Sequence, residues 1–363
     1  MNAATEFKHI NPELYRHPEE REARDRLKKI PGFARALEIM LHGPICKAER
    51  QAEVASMARV GTGVYPVLAG MWNGILERFG VKPAPLFIAF EAAYPWSIQG
   101  GKENPSLILD GKYLDILNAK EMEALLAGQA GSIRLGNADY LAAADFVRQL
   151  TDFSGIAGAP AAVLAWGLEN WRRRATFSAD RAAALAMGDP GGVTALLDRI
   201  SGAGNGTWGG IADPGSLRLQ GIEALSLDRD WANDRWLRFA MAMNRRNQSG
   251  LIRRLDLLDW FAGGDPARIL AGQIQDIPDV KAAGDSEDES LPRTGEDSDP
   301  GLAFWGEFAG GQTGSRAAGE CPFPKNPNTR CPMAEVMGMA EKGWNGFWKA
   351  GEAFLRTFQD KDQ

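Results

Sequence analysis

Histidine is the side chain most often asked to move a proton or hold a transition metal near neutral pH. This chain has three, His9, His17 and His42, all ahead of its first long run of small residues. No two of them stand four apart, and none is grouped with a cysteine at metal-ligand spacing. The cysteines Cys46, Cys321 and Cys331 are odd in number and give no disulfide framework, which suits the cytoplasm. In the small-residue segment Asn118–Gly136, Ser132 would need a base in reach to act as a nucleophile. Asp180 alone would be an unusual base. Within the same segment Gln129 takes no proton at neutral pH, and Gly128 has no side chain. These residue types lead us to expect no catalytic group, no metal and no cofactor.

The elements that position these residues are legible. Asn118 and Glu121 have capping-box spacing, so a helix is expected to begin there. Ahead of it, Asn104-Pro-Ser-Leu-Ile-Leu-Asp-Gly-Lys-Tyr-Leu-Asp-Ile-Leu117 reads as a strand, a turn and one helical turn. Leu86-Phe-Ile-Ala-Phe-Glu-Ala reads as another strand, followed by Tyr94-Pro-Trp-Ser-Ile-Gln-Gly100-Gly101. Tyr65, Leu68, Met71, Ile75 and Phe79 recur at helical spacing within 61–80. The stretch 11–60 is charged and helical in pattern, with Pro31-Gly32 as punctuation. Residues 119–187 are expected to be mostly helical, with a further short helix over 191–202. Gly202–Ile211 lacks phosphate-loop spacing and reads as a turn-rich connection. Residues 216–272 return to helix, with Trp231, Trp236, Phe239 and Met243 as a core stripe.

Composition excludes some functions. The chain has 363 residues, is 44% apolar and carries a net charge of −6, so it lacks the basic field that nucleic acid binding draws on. Its start is polar and shows no signal-peptide core. The most apolar stretch, Gly155–Leu168, is shorter than the ~20 residues a membrane span needs and is interrupted by Pro160, so a buried helix pair is expected.

Four blocks, in order, carry a family likeness. They are His17-Pro-Glu-Glu-Arg-Glu-Ala with Leu27-Lys-Lys-Ile-Pro-Gly32-Phe; the strand, turn and helix of 104–136; Trp171-Arg-Arg-Arg-Ala-Thr176-Phe-Ser-Ala-Asp180-Arg181-Ala; and Leu255-Asp-Leu-Leu-Asp-Trp260 through Gly272. Together they resemble soluble zinc metallopeptidases of the HtpX and CAAX-prenyl-protease type over roughly 16–272. Gly111, Leu114, Leu117, Glu121, Ala124, Leu125, Leu126 and Gly131 fall on that family's pattern around its His-Glu-x-x-His helix. The resemblance implies a zincin-like α+β fold, mainly helical, with a small antiparallel sheet beside the active-site helix. It also puts Gly128, Gln129 and Ser132 where the two histidines and the catalytic glutamate belong, and Thr176 where the third ligand belongs. Asp180, which in the family orients a ligand histidine, is retained. By this comparison the active-site helix is degenerate. Asp180 is then expected to pair with Arg134 or Arg181, and Gly128 and Ser132 to let a neighbouring segment pack where zinc would sit. In the family an extended substrate pairs with a strand at the cleft edge, which makes Tyr94, Trp96, Gly100 and Gly101 binding candidates.

Domain organisation follows from the same reading: a peptidase-like domain over 1–272, an acidic linker over 273–320 expected to be disordered, and a tail over 321–363. In the tail Met333, Val336, Met337, Ala340, Trp344, Phe347, Trp348 and Phe354 lie on one helical stripe. Such a stripe folds back on its own domain, docks in a partner's groove or lies on a membrane. The expected function is that of a catalytically inactive metallopeptidase-like protein. It would bind a protein or extended peptide, an active peptidase relative among the candidates, with no nucleic acid partner and no transmembrane segment. The alternative is a peptidase with a displaced or non-zinc site.

Overall fold

Asn118 and Glu121 act as their spacing predicts. In a computed structural model of the chain, the Asn118 side chain accepts the Glu121 N–H at 2.9 Å and the Glu121 carboxylate accepts the Asn118 N–H at 3.0 Å. Helix Ala119–Arg134 starts from that box. Asn118→Ala is expected to cost about 1 kcal/mol in a urea titration, the usual worth of an N-cap. The structure describes residues 7–29, 33–42, 51–52, 54–90, 92, 95–154, 159–202, 213–231 and 250–274.

The remaining elements follow the expected order, except that a short strand at 58–59 falls within the 11–60 stretch expected to be helical. Helices α1 (Pro18–Lys28) and α2 (Phe33–His42) precede strand β1 (Ala58–Arg59) and helix α3 (Pro66–Phe79). Strands β2 (Leu86–Ala89), β3 (Trp96–Gln99) and β4 (Ser106–Asp110) lead through the one-turn helix α4 (Tyr113–Ile116) into α5, the helix Ala119–Arg134. Then come α6 (Ala138–Ser154), α7 (Ala159–Met187), α8 (Gly191–Ile200), α9 (Pro214–Trp231), α10 (Gly250–Ala262) and α11 (Asp265–Leu270). The class is α+β and mainly helical. Two compact units are present, Met1–Ala144 with Leu168–Glu287 and Asp145–Gly167 with Asp288–Gln363. The site described below lies in the first.

The expected antiparallel sheet is a mixed one. Its order is β1-β2-β4-β3, with β1 and β3 antiparallel to their neighbours and β2 parallel to β4. The chain leaves β2, runs down the outside as β3 and returns between them as β4, so β2 and β4 must point the same way. The β3–β4 turn is closed by Gly100 and Gly101, both at positive φ. A Cβ on Gly100 would lie 2.3 Å from the Asn104 carbonyl oxygen, so the turn requires glycine there.

One face of the sheet (Leu86, Ile88, Leu107, Leu109, Ile98) packs with Leu68, Trp72, Ile75 and Phe79 of α3 and Leu125, Leu126 and Ala130 of α5. Trp72 donates its indole N–H to the Ala84 carbonyl at 2.7 Å, so even its polar edge is satisfied in the core. The N-terminal segment is strapped across this core. Phe7 meets Phe79 edge-on at 4.5 Å, and the Arg134 guanidinium donates to the carbonyls of Phe7, Lys8 and Ile10 at 2.9, 2.6 and 2.7 Å. Tyr15 is fully buried and its hydroxyl has no hydrogen-bond partner. Burial pushes that phenol above its ordinary range. Because an unsatisfied buried hydroxyl costs more than an absent one, Tyr15→Phe is expected to raise the unfolding free energy by about 1 kcal/mol in denaturant titrations.

Pro160 falls in the first turn of α7, where its missing N–H does no harm. Burial of that helix pair lies outside the described side chains, as do Trp236, Phe239 and Met243, the linker beyond 274 and the whole tail with Trp344, Phe347 and Trp348. Among the described residues no helix is long and apolar enough to cross a membrane.

Candidate functional site

Helix α5 crosses α7 at two residues that have no side chain. A Cβ on Gly131 would lie 2.3 Å from the Ala182 Cβ and 3.3 Å from a Phe79 ring carbon. A Cβ on Gly128 would lie 3.2 Å from the Ala179 carbonyl oxygen. The neighbour expected against Gly128 is therefore α7 itself, close enough that its backbone occupies the space of a first ligand's Cβ contacts. Ser132 is buried beside this crossing and Gln129 is half-buried. Thr176 is half-buried, and its hydroxyl donates to the Arg173 carbonyl one turn back at 2.6 Å. Zinc needs three or four N, S or O ligands with room to converge on one point. Glycine, glutamine, serine and threonine at these four positions do not supply such a set. Among the described residues no three His, Cys, Asp or Glu side chains come together as a metal-holding group.

The retained Asp180 has a partner that was not expected. It is 5% exposed and takes a two-pronged ion pair from Arg253 of α10, Nε at 2.7 Å and Nη2 at 2.6 Å. Arg134 is spent on the N-terminal carbonyls, and Arg181 turns to Asp256 at 3.1 Å beneath the Trp260 ring. Burial pushes the Asp180 carboxyl above the usual carboxylate range, and the Arg253 pair opposes it. For Asp256 burial also raises, but the hydrogen bond from His17 and the Arg181 charge outweigh it and hold that carboxyl low.

The same network reaches the N-terminal segment. His17 places Nε2 at 3.1 Å from the Asp256 carboxylate, while its Nδ1 accepts the Glu19 N–H and so caps α1. These two bonds select the tautomer with the proton on Nε2. Ser178 accepts the His17 backbone N–H at 2.8 Å and donates to the Glu20 carboxylate through a short hydrogen bond. Fully buried Glu20 is held in turn by Arg16 at 2.5 Å, and Arg16 donates onward to the Leu135 carbonyl at the end of α5. The Ser178-Ala-Asp180-Arg181 run thus fastens α7 to the N-terminal segment and to α10. Each of its polar side chains is engaged in holding these elements together. Sequence reasoning missed Arg16, Glu20, Ser178, Arg253 and Asp256 as a set. One signal was available: Glu20 shares its helical stripe with Ala23 and Leu27, an acid on an apolar face.

Strand β3 is an edge strand. The Asp110 N–H donates to the Pro95 carbonyl at 3.0 Å. The alternation of an antiparallel ladder then turns the backbone groups of Ser97 and Gln99 toward β4 and those of Trp96 and Ile98 away from it; Ile98 is only 2% exposed, which leaves half-buried Trp96 as the more open of the two. Gly101 lies against Leu41, and the adjoining Lys102 N–H donates to Asp139 at 2.6 Å, so Gly100 and Gly101 serve the turn. Tyr94 lies outside the described residues.

Comparison with known proteins bears on this arrangement. The chain is 25% identical over 206 residues to the plastoglobule-localized metallopeptidase 48, chloroplastic, of Arabidopsis thaliana. The relationship is metallopeptidase-like. The match covers 54% of this chain and 58% of the relative, so the chain spans under two thirds of that protein's length. No family model matches the chain, and no solved structure matches it.

Proposed function

We propose that this protein is a catalytically inactive relative of the HtpX-type metallopeptidases that binds an extended peptide or protein segment along strand β3. The observation that carries this reading is the closed helix crossing, where the Ala179 carbonyl stands 3.2 Å from the Cβ position of Gly128. Among the described residues Gly128 packs against α7, Asp180 is committed to Arg253, and the sheet keeps an edge strand. An edge strand with outward N–H and C=O groups gains affinity from main-chain pairing, which needs no metal. On this reading the peptidase-like domain spans 1–272, the acidic linker and tail give a second contact for a partner such as an active peptidase, and the compartment is the cytoplasm.

Elemental analysis, peptide hydrolysis and peptide binding on one purified sample test the reading. The expected result is substoichiometric zinc, no cleavage, and binding of extended peptides that is lost when alternate peptide nitrogens are methylated. Chelator-sensitive cleavage with zinc near one per chain would overturn it. Cleavage without zinc would instead support the displaced-site peptidase.

A further inference from the structure

We draw no further inference here: the strongest candidate, the outward face of α3 where Val67 is 81% exposed and Gly70 and Gly74 meet open space, is an unpartnered helix face whose flanking charges already pair within the chain, Lys8 with Glu77 and Arg78 with Glu123, and nothing in the structure shows what covers it.

Discussion

Restoring the metallopeptidase ligands in one variant, Gly128→His with Gln129→Glu, Ser132→His and Thr176→Glu, is expected to give a less stable protein that still takes up no zinc. The decisive position is Gly128. Its Cβ would already sit 3.2 Å from the Ala179 carbonyl oxygen, and an imidazole beyond that Cβ must push α5 and α7 apart. Three residues along, Gly131 meets Ala182 more closely still, so separation opens a contact the core relies on. Overpacking of this kind costs typically about 1–3 kcal/mol, occasionally more, against a gain of at most about 1 kcal/mol for replacing a glycine within a helix. The clash wins. Gly131→Ala isolates the effect, because it adds only the methyl whose carbon would stand 2.3 Å from the Ala182 Cβ. It too should lower the melting temperature despite its better helix propensity, whereas half-buried Gln129→Glu alone should do little. A zinc-dependent rise in the melting temperature of the fourfold variant, with one metal per chain, would show that the crossing opens on demand.

Asp180→Ala is expected to be among the most damaging single substitutions in the chain, costing about 3–5 kcal/mol. It leaves Arg253 buried beside an empty space, and one Arg253 nitrogen, Nη1, already lacks a partner. With domain stabilities of about 5–15 kcal/mol, that loss removes a large share of the total. The charge pair itself is not where that energy comes from, since desolvating both ions offsets most of their attraction. Replacing both, Asp180→Leu with Arg253→Met, should therefore recover most of the stability lost by Asp180→Ala. Chemical denaturation of the two single variants and the double measures the coupling. Additive losses would mean that the pair does not act as a unit.

Much of the scaffold was legible because its signals are local. The Asn118–Glu121 box, the short apolar runs of β2 and β4 and the spacing in α3 each lie within a few residues. The pairing of β2 with β4 was not, since nothing in either strand says that β3 runs outside. Asp180 was misassigned for a related reason. Arg134 and Arg181 were the visible arginines, while the true partner lies 73 residues on in another helix. The small residues at 128 and 132 did suggest a close approach, but that α7 meets the helix at 128 and 131 is a tertiary fact.

The strap over the core has a consequence for the order in which a newly made chain is locked. Phe7 waits for Arg134, 127 residues later, and His17 for Asp256, 239 residues later. At synthesis rates of about 5–20 residues per second, the second interval is roughly 10–50 s. A segment made well before its partners is thus fastened only after them. The ring of Phe7 meets Phe79 and Arg134 well before Asp256 is made, so the aromatic end of the strap can dock before its His17 end is fastened.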